Sequence, residues 1–149
     1  MLEITERLNL AERYDAVISL DYDSRKRGRL KTRTETSEDA GLFLERGQVL
    51  MDGDYLKATD GRVVLVQAAV EQLTMASTTD PTMFAKICYH LGNRHTPVEI
   101  QPGSVFFQPD HVLSDLCRQW GLCVEDVERP FAPERGAYGK HAGGHHHDD

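Results

Sequence analysis

Histidine is missing from the first 89 residues of this 149-residue chain and proline from the first 80, yet the remainder holds seven histidines and six prolines. A break of that kind predicts two domains. No apolar run approaches the roughly 20 residues that a membrane helix requires, and the N-terminus carries Glu3 and Glu6 instead of a basic and then apolar leader. The expectation is a cytoplasmic protein without membrane contact. Cysteine is scarce: Cys88, Cys117 and Cys123 are odd in number and show no C-x-x-C spacing, which argues against a disulfide framework or a zinc ribbon. Basic residues are outnumbered, 17 Lys and Arg against 24 Asp and Glu, and a net charge of −7 disfavours nucleic acid as a partner. Also missing are G-x-S-x-G, H-E-x-x-H, G-x-x-x-x-G-K-[ST] and G-x-G-x-x-G. Binding is favoured over turnover, and no enzyme is expected.

The residues that are present read as α+β. Segments 16–20, 29–34, 40–44, 55–58 and 62–68 are β-branched or alternate in polarity, and Asp52-Gly53 and Asp60-Gly61 are turn dipeptides between them. They predict a small all-β N-terminal domain over residues 1–70. From residue 71 the period changes. A strand near 73–76 precedes Asp80-Pro81, an N-cap followed by a proline at the first helical position. Phe84, Ile87, Cys88 and Leu91 then recur at helical spacing, and Gly92 is the expected stop. Strands at 98–101 and 104–107 flank Pro102-Gly103. A second helix starts at Asp110, carries Leu113, Leu116, Cys117 and Trp120 on one stripe, and ends at Gly121. A last strand at 122–127 completes a ferredoxin-like βαββαβ order over residues 71–133. Residues 134–149 have little to bury and are expected to form a disordered His-rich tail.

The tail is the strongest chemical signal. Neutral imidazole ligates nickel, copper, zinc and cobalt ions, and His141, His145, His146 and His147 stand among glycines beside Asp148 and Asp149. A purification tag is usually six consecutive histidines, a pattern this irregular run does not follow. His95, after the helix stop and before Thr96-Pro97, falls in a loop where no core demands an imidazole. Two copies across a two-fold axis would supply two ligands from one residue. His111 follows the N-cap Asp110 and is either a plain first-turn residue or an auxiliary ligand. His90 reads as a helix-end histidine favoured by the helix dipole. The three cysteines read as small core residues. Finally, Arg25, Lys26, Arg27, Arg29, Lys31 and Arg33 place six positive charges in nine residues with no acid. On a strand, the last four project from one face, either to protect a sheet edge or to dock an acidic partner.

Cys88-Tyr-His-Leu-Gly-Asn-Arg-His95-Thr-Pro, then Asp110-His-Val-Leu113 and the Gly-plus-His tail, closely resemble the UreE family of urease accessory nickel metallochaperones. Ser24-Arg-Lys-Arg-Gly-Arg-Leu, Gly41-Leu-Phe-Leu44 and Arg46-Gly look like that family's first domain, so the resemblance spans the chain. It implies a homodimer whose N-terminal β domain contacts partner proteins and whose ferredoxin-like domain binds metal. It also implies delivery of Ni(II) to apo-urease with the other urease accessory proteins, the accessory GTPase among them. His95 matches the family's principal nickel ligand at the dimer interface, His111 an auxiliary site of some members, and the last histidines a tail that varies between members. Zn(II) and Cu(II) are the expected competitors. Two further functions fit the residues: a small metal-dependent hydrolase using His95 and His111, and a peptide-binding adaptor acting through the basic stripe.

Overall fold

The structure, a computed structural model, describes residues 1–135, and the chain divides into two units at Ala69 and Val70. The overall class is α+β, with many strands and few helices. Among the described residues no helix is long and apolar enough to cross a membrane.

The first unit is built on period-two alternation. Its strands are β1 (Leu2–Leu8), β2 (Ala16–Leu20), β3 (Arg29–Arg33), β4 (Asp39–Phe43), β5 (Tyr55–Ala58) and β6 (Val63–Ala68). They form one mixed sheet in the order β2-β6-β5-β1-β4-β3, with β1 parallel to β4 and β2 parallel to β6. Ile4, Ile18, Leu42, Leu56, Val64 and Val66 point to the same side and are fully buried. The two edges of the sheet are joined at one end. Ile18 bridges to Thr34, the Glu35 N–H donates to the Val17 carbonyl at 2.9 Å, and the Glu35 carboxylate accepts from the Val17 N–H at 2.9 Å.

Two features depart from the expected all-β reading. β1 occupies the middle of the sheet, although its sequence gives only Leu2 and Ile4 in alternation. A register shift between Ile4 and Glu6 interrupts the pattern after that. One helical turn, α1 (Tyr22–Arg25), is capped by Asp21, whose side chain accepts from the Ser24 N–H at 2.9 Å. The turn ends in Arg25, which is 1% exposed.

The second unit runs β7 (Val70–Ser77), α2 (Pro81–Asn93), β8 (Glu99–Gln101), β9 (Ser104–Phe107), α3 (His111–Gln119) and β10 (Cys123–Pro130). Its strands form an antiparallel sheet in the order β10-β7-β9-β8. Both helices start where a carboxylate satisfies the first free N–H groups. Asp80 accepts from Thr82 and Met83, and Asp110 from Val112 and Leu113, all within 2.9–3.2 Å. Ile87 and Leu91 of α2 and Leu113 and Cys117 of α3 are buried with Ala76, Val105, Phe107 and Leu122 of the strands and loops. Gly121, at φ +84°, ends α3 as expected.

The stop of α2 differs. Gly92 lies inside the helix, and the left-handed residue after it is His95, at φ +57°. β10 is also longer than its apolar residues suggested. Its pairing with β7 runs without interruption from Cys123–Ser77 to Pro130–Val70, because backbone register carries it through Glu125, Asp126, Glu128 and Arg129.

Candidate metal centre

His95 stands at the end of a rigid lever. The Arg94 N–H donates to Leu91 and the His95 N–H to Gly92, at 3.1 and 3.0 Å, so the last turn of α2 is closed by hydrogen bonds. The left-handed conformation is costly for a side chain with a Cβ, on the order of 1 kcal/mol, and glycine ordinarily takes this place. Here a histidine takes it and stays exposed. Among the described residues, no hydrogen bond, ion pair or ring contact engages its imidazole. Both ring nitrogens are therefore open to an incoming ligand or ion.

His90, one turn earlier, is engaged. Its ring lies 4.9 Å from the Trp120 ring, tilted by 36°, and 5.4 Å from the Tyr89 ring in an edge arrangement. These contacts make it a packing residue between α2 and the end of α3. His111 is the first residue of α3 and is exposed. Among the described residues no three His, Cys, Asp or Glu side chains converge on a metal-sized site. The described part of one chain therefore offers single imidazoles, and His95 and His111 do not complete a centre between them. His141, His145, His146 and His147 lie outside the described residues.

The cysteines divide. Burial raises the Cys88 thiol and pushes the Cys117 thiol up to about 11, with the neighbouring Cys88 adding to the latter. Protonated thiols of that kind are poor metal ligands, since the thiolate is the ligand form. Cys123 corrects the core reading: it is exposed. It sits in an open groove of about 890 Å³ with Ser77, Thr78, Phe84, Pro102 and Gly103, and among the described residues no histidine lines that groove.

The basic segment also divides. Arg29, Lys31 and Arg33 are exposed on one face of β3, with Leu30 and Thr32 turned inward, and β3 is an edge of its sheet. Arg29 lies 5.8 Å from the Phe43 ring and Arg33 pairs with Asp39 at 3.3 Å. Lys26 caps α1 and pairs with Asp23 at 3.2 Å. Arg27 is exposed but precedes the strand. There, at Gly28, a Cβ would meet the Leu44 carbonyl oxygen at 2.6 Å, so only glycine allows the chain to turn into β3. Arg25 is corrected outright. Its guanidinium is buried and donates to the Leu20 and Leu50 carbonyls at 3.2 and 3.3 Å, so it acts inside the unit and is withdrawn from the exposed stripe.

Sequence reasoning missed a buried carboxylate. Glu99, on β8, is 3% exposed and accepts hydrogen bonds from Arg129, Gln101 and the Ala132 backbone. The alternation of Val98 and Ile100 around it predicts an outward side chain, but Val98 and Glu99 are both buried and Ile100 is exposed. The partner of Glu99, thirty residues on, was not recognisable as such. Glu134, expected to begin the tail, is hydrogen-bonded through its backbone N–H to Val98 at 2.7 Å.

The second unit exposes the imidazoles of His95, just after α2, and His111, at the start of α3, an arrangement suited to a binding protein. The chain matches the model of the UreE urease accessory protein N-terminal domain over residues 3–69 and that of the C-terminal domain over residues 71–149. It is similar to the urease accessory protein UreE of Dechloromonas aromatica (strain RCB), 50% identical over 137 residues, 89% of this chain and 77% of that protein. It is 46% identical to the UreE of Azotobacter vinelandii (strain DJ), over 99% of this chain and 87% of that one. With the UreE of Alteromonas mediterranea it shares 43% identity over 99% and 94% of the two chains. The chain belongs to the UreE urease accessory protein family and is not an enzyme.

Proposed function

We propose that this protein is a nickel metallochaperone of urease maturation, a homodimer that holds Ni(II) between the His95 side chains of two protomers and delivers it to apo-urease in the cytoplasm. Membership of a urease accessory family supports the destination. One observation carries the site: His95 is exposed and unengaged in a left-handed position at the end of α2. A single imidazole per chain binds an ion weakly, so a second protomer is the economical source of another. His141, His145, His146 and His147 complete or feed the shell, and His111 is an auxiliary ligand. Zn(II) and Cu(II) compete, because affinity at nitrogen sites rises toward copper. The second unit is read as a ferredoxin-like domain over residues 71–133, supported by its element order and by the sheet order β10-β7-β9-β8. Residues 1–70 are read as the partner-binding domain.

A partly mobile ligand set suits delivery. Imidazoles that leave one at a time can be replaced by a recipient's ligands, whereas a closed site resists exchange. The exposed cations Lys26, Arg27, Arg29, Lys31 and Arg33 face acidic surfaces of urease or of the accessory proteins, including the GTPase, and that contact weakens with salt.

The test is nickel titration of wild type, His95→Ala and a chain ending at Lys140, with mass measured alongside. About one ion per dimer is expected to disappear with His95→Ala, and weaker additional ions to disappear without the tail. A His95→Ala protein that binds nickel like wild type rejects the interface site.

A further inference from the structure

The outer face of β3 and β4 mixes charge with exposed apolar surface. The two strands pair Arg29 with Phe43, Lys31 with Gly41 and Arg33 with Asp39, so these residues share one face, and Glu3 of β1 stands beside Gly41 on its other side. All of them are exposed except Gly41, which is buried. Its cover is apolar. A Cβ at Gly41 would lie 3.0 Å from the Met1 methyl group and 3.0 Å from the Phe43 ring, so the missing side chain lets those two groups gather over the backbone. Met1 and Phe43 remain 62% and 40% exposed.

Cations border this apolar patch on the β3 side. The Arg29 guanidinium lies 5.8 Å from the Phe43 ring centroid. Among the described residues, no carboxylate lies within ion-pair distance of Arg29 or Lys31. Arg33 has Asp39 at 3.3 Å, and because both are exposed the pair is weakly held. Charges alone are enough to keep an edge strand from pairing with other chains. An exposed phenylalanine and methionine beside them work against that purpose, since contiguous apolar surface invites association. An apolar centre with a charged border is the anatomy of an interface, in which buried apolar groups supply much of the affinity and border charges supply rate and selection.

We propose that the outer face of β3 and β4 docks an acidic segment of a partner protein that carries an apolar side chain, seated on Phe43 and Met1 over Gly41, with flanking carboxylates meeting Arg29 and Lys31. The proposal rests on the reading of the basic segment as a docking stripe and adds the anchor that charge alone lacks. Arg29 and Lys31 set the sign of the partner, and Phe43 and Met1 set its centre. Glu3 sets the direction: the partner's acids lie over β3 and not over β1. A contact made by charge alone would accept any acidic surface, whereas an anchored one selects among them.

Nuclear magnetic resonance titration of the full chain with three synthetic peptides of equal length tests this. One peptide is acidic with a central phenylalanine, one is equally acidic with serine in its place, and one is neutral with the phenylalanine. The first is expected to shift the amides of Lys31, Gly41 and Phe43 and to bind roughly three- to tenfold more tightly than either of the others. Phe43→Ser is expected to reduce it to the level of the serine peptide while preserving its decline with salt. Lys31→Glu is expected to weaken both acidic peptides and to flatten that decline. The serine peptide tests the anchor in the wild-type chain, so the result does not depend on the folding of Phe43→Ser. Acidic peptides that bind alike with phenylalanine and serine overturn the anchor and leave the basic stripe standing. A neutral peptide that binds as tightly as the acidic one overturns the acidic partner. Acidic peptides that leave the β3 amides unmoved overturn the stripe and the anchor together.

Discussion

A residue in an unfavourable conformation is a place to ask what the conformation provides. His95 takes the left-handed position that glycine would occupy without strain. His95→Gly is therefore expected to be more stable than His95→Ala by about 1 kcal/mol, as read from urea midpoints, while losing the imidazole equally. Equal midpoints would mean that the position is unstrained. The thiols give a second prediction at this scale. Burial raises Cys88 and pushes Cys117 up to about 11, so both remain protonated at pH 8, whereas Cys123 is exposed. Native alkylation at pH 8 followed by mass analysis is expected to modify Cys123 first and to leave Cys117 unmodified until the chain unfolds.

At the scale of elements, neighbouring arginines do unlike work. Arg25 closes α1 onto the Leu20 and Leu50 carbonyls, and Arg25→Ala would remove both side-chain hydrogen bonds, although the Leu20 carbonyl keeps the Ala69 N–H at 2.9 Å, and would leave an empty space. A loss of about 2–4 kcal/mol is expected in urea unfolding, against about 0.5 kcal/mol or less for Arg29→Ala or Lys31→Ala on the exposed edge of β3. A loss for Arg25→Ala no larger than theirs would contradict its structural role. The turn between β5 and β6 supplies a pH dependence. Arg62 Nη1 and Nη2 donate to the two oxygens of Glu38 at 2.8 and 2.7 Å, while Asp60 accepts from the Arg62 backbone N–H at 3.0 Å and from its Nε at 2.9 Å, which holds the two carboxyl groups below their ordinary values of 4.5 and 3.8. A carboxyl lowered in the folded state stabilises the fold above its unfolded value, and the contribution disappears as pH falls through the folded one. Urea midpoints are expected to fall below pH 4.5 with a shallower slope for Arg62→Met than for wild type. Because these groups are exposed, the difference is small and salt narrows it.

The same scale explains what was legible in the sequence. Asp80-Pro81 and Asp110 announce their helices because a cap is a contact between residues two or three apart, and the stripes Phe84–Leu91 and Leu113–Trp120 report one buried face. β1 was hidden by its register shift after Ile4, and α1 by being a single turn. The end of β10 was hidden because charged residues occupy it while backbone pairing extends it. Gly92 drew the helix stop that His95 in fact makes. The candidate ligand His95 was legible from its loop and its motif, but its conformation was not. The pairing of Glu99 with Arg129 required the sheet order, which brings together residues thirty positions apart.

For the whole molecule, the basic cluster and the histidines fall in different units. A chain of net charge −7 gathers six of its 17 basic residues within nine positions of the first unit, and five of those six remain at the surface. Every histidine belongs to the second. On the reading proposed above, recognition of partners and custody of the ion are therefore carried by different domains. Substitutions in β3 should leave the ion in place, and substitutions at His95 should leave docking in place.

The central position of β1 bears on how the first unit is made. β1 lies between β4 and β5, and its pairing partners, Ala40 to Leu42 and Tyr55 to Ala58, follow it in the chain by about forty to fifty residues. Until then Leu2 and Ile4 have no sheet to enter. β2 waits about as long for its parallel neighbour β6, the last strand of the unit. Contacts this distant in sequence close slowly and together. The first unit is therefore expected to fold slowly and in concert, since its sheet closes only when β6 is present.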